Sequence, residues 1–147
     1  MRRKIADVMI VDYKAALEKS GMTAEQIAER MQKRSDRIID AGTAVMLCLD
    51  SRDMNEFPED EDRQKGELIM GVQSVALAGG NLLLAAHAEN LGGVWTCAPL
   101  YTQGSIIQAF DLPESWLPQA LLLLGYPAEK PGQKELKPIE GVTLFLE

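Results

Sequence analysis

The most constraining feature of this sequence is a long stretch without a basic residue. Between Glu67 and Glu129 there is no Lys or Arg, and acidic side chains are few. Charged side chains are rarely buried unless paired, so a stretch this poor in charge is predicted to be buried, in the chain's own core or against another subunit. An anion bound there would have to be held by backbone N–H groups or helix ends, not by cations.

Composition limits the classes of partner. The 147 residues contain 15 Lys and Arg against 22 Asp and Glu, a net charge of −7, which disfavours nucleic acids and anionic membranes as partners. No apolar run is judged long enough to span a bilayer, so a cytoplasmic protein is expected. The single histidine, His87, excludes a multi-histidine metal site, and two cysteines fit neither a disulfide framework nor a zinc motif.

Hydrophobic periodicity, glycines and prolines predict the secondary structure. We expect helices over 2–19, from Thr23 to Gly42, over 67–90 with Gly92-Gly93 ending it, and over 103–110. Short apolar runs predict strands at 43–49, 94–97, 119–126 and 142–146, with a polar loop over 50–66. This order of elements indicates an α/β or α+β layer structure.

The helix over 67–90 is apolar on nearly every face, which is more than one small domain can cover. Small residues such as Gly71, Gly79 and Gly80 would let a second helix approach closely. A homodimer with this helix at its centre is therefore favoured over a monomer with a buried helix. The strand at 142–146 follows an extended arm and would pair with the partner's sheet.

The usual catalytic motifs are absent from the sequence. There is no Gly-x-Ser-x-Gly elbow and no Gly-x-Gly-x-x-Gly opening a helix after a strand. The acidic run 59–62 lacks the ligand spacing of a calcium loop and is interpreted as solvated. Such a chain fits a protein whose cofactor carries the chemistry, since few catalytic side chains are then needed.

The block GVQSVALAGGNLLLAAHAENLGGVWTCAP at 71–99, followed by FDLPESWLPQALLLLGYPAEKP at 110–131, resembles the nitroreductase family of flavin enzymes. The sequence around Trp95 is most similar to that of the nitroreductase-like domain of deazaflavin cofactor biosynthesis proteins. The resemblance implies one domain over 1–147 with an α+β, three-layer α/β/α fold, dimeric, in which 126–147 is an arm reaching the partner subunit. The family's N-terminal segment, with its Arg-x-Ser-x-Arg phosphate clamp, is missing from this sequence.

The resemblance also implies an activity: ping-pong hydride transfer from NAD(P)H, through FMN, to a nitroaromatic, a quinone or a related small molecule. By alignment, the backbone N–H groups of Cys97 and Ala98 would face the flavin, and Lys134 or Lys137 would bind its phosphate. No catalytic side chain and no metal are implied. Two alternatives stay open: a shortened, flavin-free or weakly binding dimer that binds another ligand, and an accessory protein in deazaflavin or corrinoid cofactor synthesis.

Overall fold

The computed structural model describes residues 1–129, 132 and 135–146. Within these residues, three strands and four α-helices form an α+β fold, as predicted. The helices are α1 (Arg2–Lys19), α2 (Ala24–Asp40), α3 (Glu61–Ala88) and α4 (Gln103–Phe110), and the strands are β1 (Thr43–Asp50), β2 (Gly92–Thr96) and β3 (Trp116–Gly125). Short 3₁₀ helices cover Ala98–Tyr101 and Ile139–Gly141.

The sheet is antiparallel, with β3 between β1 and β2. Strand β3 begins at Trp116, three residues earlier than predicted. The prediction started the strand after Pro118, whereas this proline lies inside it. Leu47 pairs with Ala120 but Cys48 pairs with Pro118, so Gln119 is the extra residue of a β-bulge. A bulge is one of the few places where a strand tolerates proline, and sequence alone did not reveal it.

Helices cover both faces of the sheet, which gives the three predicted layers. On one face α1, α2 and α4 bury a core in which Met9, Ile38 and Ile106 pack with Leu121 and Leu123 of β3. Helix α3 covers the opposite face, where it lies against β1 and β2. The alternation of side chains along β3 places its successive leucines in two different layers.

Helix α3 begins at Glu61, six residues before the predicted start. The Asp60 side chain caps it by accepting a hydrogen bond from the Arg63 N–H at 3.0 Å. Glu61 and Asp62 fill the first turn, where negative charge interacts favourably with the helix dipole. The acidic run interpreted as part of a loop is therefore a helix start.

Helix α3 ends at Ala88, and Asn90 rather than the glycine pair terminates it. Asn90 takes the left-handed conformation, with φ of 62°. The Leu91 N–H donates to the Ala86 carbonyl at 2.9 Å and the Asn90 N–H to that of His87 at 3.0 Å, which is a Schellman motif. Gly92 already belongs to β2.

Two glycines of α3 face the sheet and not another helix, contrary to the prediction. A Cβ at Gly79 would lie 2.4 Å from Trp95 Cζ3 and 2.5 Å from Leu47 Cδ1. A Cβ at Gly71 would lie 3.0 Å from Leu49 Cδ1. Glycine is needed here because the helix backbone passes close over large side chains. Gly80 has no such neighbour within 4 Å.

The outer face of α3 is apolar and exposed in the single chain. Met70, Leu77 and Leu84, spaced seven apart, are 57%, 69% and 70% exposed. Of the two predicted alternatives, burial in the chain's own core does not hold for this face of α3, and burial against another subunit stays a prediction. Contrary to the sequence expectation, α3 is also long and apolar enough to cross a membrane by length and composition, with mean hydropathy 1.7 over 18 residues.

The predicted strand at 142–146 does not form within one chain. These residues are exposed and belong to no sheet in the part of the chain that the structure describes. An isolated apolar run becomes a strand only when it finds a sheet edge to pair with.

Candidate cofactor site

The candidate site is the turn that follows β2. Cys97 directly follows the strand, is exposed, and has φ −88° and ψ 10°, in the sparsely populated bridge region. Its carbonyl accepts a hydrogen bond from the Leu100 N–H at 3.1 Å, which closes the 3₁₀ turn. The chain thus changes direction at Cys97.

Buried residues hold this turn from below. Pro99 is fully buried, and its carbonyl accepts from the Thr102 N–H at 3.1 Å. The Thr102 hydroxyl, also buried, donates to the Ala98 carbonyl at 3.4 Å. These contacts fix the peptide planes at Cys97 and Ala98, so their orientation is set before any ligand arrives.

The Ala98 amide has one long hydrogen bond. Its N–H donates to Thr96 Oγ1 at 3.5 Å, at the outer limit of a hydrogen bond. Such a long contact contributes little, so the amide remains available to a stronger acceptor. The structure therefore places Cys97 and Ala98 together in a fixed turn with one weakly satisfied donor, which suits an electron-rich ring edge.

The two cysteines have different surroundings. The Trp95 indole N–H donates to Cys97 Sγ at 3.1 Å, which orients the thiol beside the turn. Cys48 lies in β1, and burial raises the pKa of its thiol. Cys97 is therefore the more accessible thiol.

Of the two predicted phosphate cations, Lys137 lies among the described residues, and the structure does not join it to this turn. Lys137 is exposed in the segment before the Ile139–Gly141 3₁₀ helix, and among the described residues no ion pair or side-chain hydrogen bond involves it. Lys134 lies outside the described residues. Cys97 and Ala98 are thus the two site residues that the structure brings together.

A basic cleft missed by the sequence interpretation opens beside the end of β2. Its volume is about 350 Å³, and it is lined by Tyr13, Arg30, Lys33, Arg34, Arg37, Ile38, Thr96 and Leu123. The four cations of this cleft belong to the polar face of α2. Their spacing at i, i+3, i+4 and i+7 places them on one stripe of the helix, and this could be read from the sequence. The sequence does not show which residues of other elements the stripe faces.

A second cleft, of about 590 Å³, lies under the segment between β1 and α3, with Phe57, Gln64 and Leu117 among its lining residues. Asp50 anchors the start of this segment. Its carboxylate accepts from the Arg52 guanidinium at 2.5 Å and from the Trp116 indole N–H at 3.1 Å. The hydrogen bonds from Arg52 hold the pKa of Asp50 well below its usual range.

The sequence profile of the nitroreductase family matches residues 1–126. The chain belongs to the nitroreductase family. This nitroreductase-family chain is 37% identical over 99 residues to a protein of Methanothermobacter thermautotrophicus, which is named, provisionally, an NADH dehydrogenase/NAD(P)H nitroreductase. The match covers 66% of this chain and 46% of that protein. It is 32% identical over 99 residues to the oxygen-insensitive NADPH nitroreductase of Salmonella typhimurium, covering 67% and 41%.

The nitroreductase-family chain thus spans less than half the length of the curated relatives that it matches. Its fold is also that of a nitroreductase-like family protein from Bacillus cereus, with a TM-score of 0.66, 23% identity, and coverage of 99% of this chain and 68% of that one. The names of the two curated relatives are those of NAD(P)H-dependent oxidoreductases, in agreement with the predicted family.

Proposed function

We propose that this chain takes part in FMN-dependent oxidoreduction, with ping-pong hydride transfer from NAD(P)H to a nitroaromatic, a quinone or a related small molecule. The observation that carries the proposal is the fixed turn at Cys97 and Ala98, in a chain of the nitroreductase family. Bound FMN would supply the hydride chemistry, and the protein would bind the ring, orient it and stabilise its charge.

The amides of Cys97 and Ala98 would stabilise negative charge on the reduced ring. Backbone donors held in place before the reaction stabilise a developing anion by about 3 kcal/mol each, because they do not have to reorient. No Lys or Arg occurs between Glu67 and Glu129, so neutral donors such as backbone N–H groups would have to stabilise the charge there. The scheme uses the backbone N–H of Cys97, and its thiol need not react.

The proposed assembly is a cytoplasmic homodimer joined through α3. Met70, Leu77 and Leu84 form an exposed apolar stripe opposite the glycines that contact the sheet. Exposed apolar stripes of this kind mark contact surfaces. The arm over 126–147 would extend to the partner subunit, where Val142–Leu146 finds a sheet edge and Lys134 or Lys137 comes near the FMN phosphate.

The test combines flavin titration with alkylation of the two cysteines. We expect added FMN to bind and to slow iodoacetamide modification of Cys97, because the ring covers the turn. Cys48, half-buried in β1, is the internal control and should react at the same rate with and without FMN. Unchanged alkylation of Cys97 at FMN concentrations that saturate binding would place the flavin elsewhere, and absence of binding would contradict the flavin assignment.

A further inference from the structure

The basic cleft is built where α2 passes the end of β2. Arg30, Lys33, Arg34 and Arg37 project from one stripe of the helix, and the buried side chains of Ile38 and Leu123 lie at its base. Four positive charges therefore share a concave space with an apolar floor. Such a floor lowers the local dielectric and strengthens the attraction of an anion.

These four cations have no acidic partner within the part of the chain that the structure describes. The ion pairs found there are Lys14–Glu18 and Arg52–Asp50. The acids of α2 fall on a neighbouring stripe, at Glu25, Glu29, Asp36 and Asp40. Like charges three and four residues apart repel each other weakly, and a bound anion would relieve this repulsion. This concentration of charge is notable in a chain of net charge −7.

Arg34 is held in place before any ligand binds. Its guanidinium stacks on the Tyr13 ring, 4.1 Å from the ring centroid, and the side chain is half-buried. Stacking uses the face of the guanidinium and leaves its N–H edges free for two parallel hydrogen bonds to an oxyanion. An arginine fixed in this way loses less side-chain entropy when it binds.

We propose that this cleft binds the phosphate group of an organic ligand. A phosphate monoester carries nearly two negative charges and presents three oxygens, which matches several converging cations better than a single carboxylate does. The cleft includes Thr96, and the next residues, Cys97 and Ala98, form the proposed flavin turn. Because Lys134 or Lys137 is the proposed contact of the FMN phosphate, the cleft either adds to that contact or holds the phosphate of NADPH, and this choice of source rests on the proposed function.

Binding itself is tested with inorganic pyrophosphate, which needs no flavin chemistry. We expect the cofactor-free full chain to bind pyrophosphate by calorimetry, and the double variant Arg34→Gln, Arg37→Gln to bind it at least about tenfold more weakly. Arg3→Gln, with an exposed arginine on α1 that does not line the cleft, is the control and should bind as the unmodified chain does. Circular dichroism verifies that each variant is folded.

Either of two results would overturn the proposal: no measurable pyrophosphate binding, or equal loss in the double variant and in Arg3→Gln. An Arg34→Lys variant refines the result, because it keeps the charge but loses the stacked, two-pronged geometry. We expect its affinity to fall between those of the unmodified chain and Arg34→Gln.

Two further comparisons identify the source of the phosphate. If the cleft holds the flavin phosphate, the preference for FMN over riboflavin shrinks in the double variant. If it holds the NADPH phosphate, the preference for adenosine 2′,5′-bisphosphate over AMP shrinks instead. If the double variant loses pyrophosphate binding but neither preference changes, the cleft binds a phosphate ester other than FMN or NADPH. Failure of FMN to bind while pyrophosphate still binds contradicts the proposed function and leaves this inference intact.

Discussion

At the scale of single residues, the clearest constraint is the close approach of α3 to the sheet at Gly79. We expect Gly79→Ala to lower the free energy of unfolding by about 1–3 kcal/mol, because the new methyl group overlaps Trp95 and Leu47. The matched control is Gly80→Ala, one residue on, where the methyl group meets nothing. There the higher helix propensity of alanine should raise stability by up to about 1 kcal/mol.

Urea unfolding of both variants measures the difference. The change in unfolding free energy is expected to be negative at Gly79 and positive at Gly80, so the two adjacent positions are easily distinguished. Equal effects at the two positions would show that α3 does not pack over Trp95 as described.

Asp50 should make stability depend on pH in acid. Its pKa is depressed in the folded chain by hydrogen bonds from Arg52. The stabilisation is therefore fully present above the unfolded pKa of about 4 and is lost as pH falls from there toward the depressed value. We expect Asp50→Asn to flatten the decline in unfolding free energy below about pH 4, measured by chemical denaturation across pH. A decline as steep as in the unmodified chain would contradict this role.

The two thiols should react at different rates. Cys97 is exposed, whereas Cys48 is half-buried with a raised pKa, so less of its reactive thiolate forms at neutral pH. Mass spectrometry of iodoacetamide-treated protein should show Cys97 modified first. Cys97→Ser should remove the fast phase, whereas Cys48→Ser should leave it in place.

At the scale of elements, the start of α3 depends on its cap. We expect Asp60→Ala to reduce stability by about 1 kcal/mol, because the Arg63 N–H loses its acceptor. Glu59→Ala removes the same charge one residue earlier without removing the cap, and it should have a much smaller effect. Thermal unfolding of the pair separates capping from net charge, and equal losses would argue against the cap.

Local signals explain which elements could be predicted. Thr23 and Gln26 form a capping box, and α2 begins directly after Thr23, where the sequence predicted its start. The ends of α1 and α4 likewise match the periodicity. The same kind of signal was present at Asp60 but was attributed to a solvated loop, because a run of acids around Pro58 also suits a loop.

Other features depend on residues far apart in the sequence. The bulge at Gln119 arises from pairing with β1, and the basic cleft arises from the position of α2 over Thr96. Neither can be deduced from a single segment. The strand predicted at 142–146 pairs with no sheet edge among the residues that the structure describes. Whether such a run pairs depends on a distant segment, which the run itself does not indicate.

At the scale of the whole molecule, the exposed stripe of α3 determines the proposed assembly. We expect Leu77→Glu with Leu84→Glu to shift the protein from dimer to monomer, because charge at an apolar contact carries a desolvation cost. Val11→Glu on α1 is the control, since Val11 is also 66% exposed but lies on another helix. Sedimentation velocity gives the mass of each species, and a dimer that persists in the double variant would exclude α3 as the interface.

The absence of Lys and Arg between Glu67 and Glu129 has a practical consequence for proteolysis. Trypsin cuts after basic residues, so it finds no cleavage site in β2, α4 or β3, whether the chain is folded or not. Survival of this region during tryptic digestion therefore carries no information about its folding. A protease that cuts beside large apolar side chains, such as chymotrypsin, is the appropriate probe, and the exposed face of α3 offers it leucines.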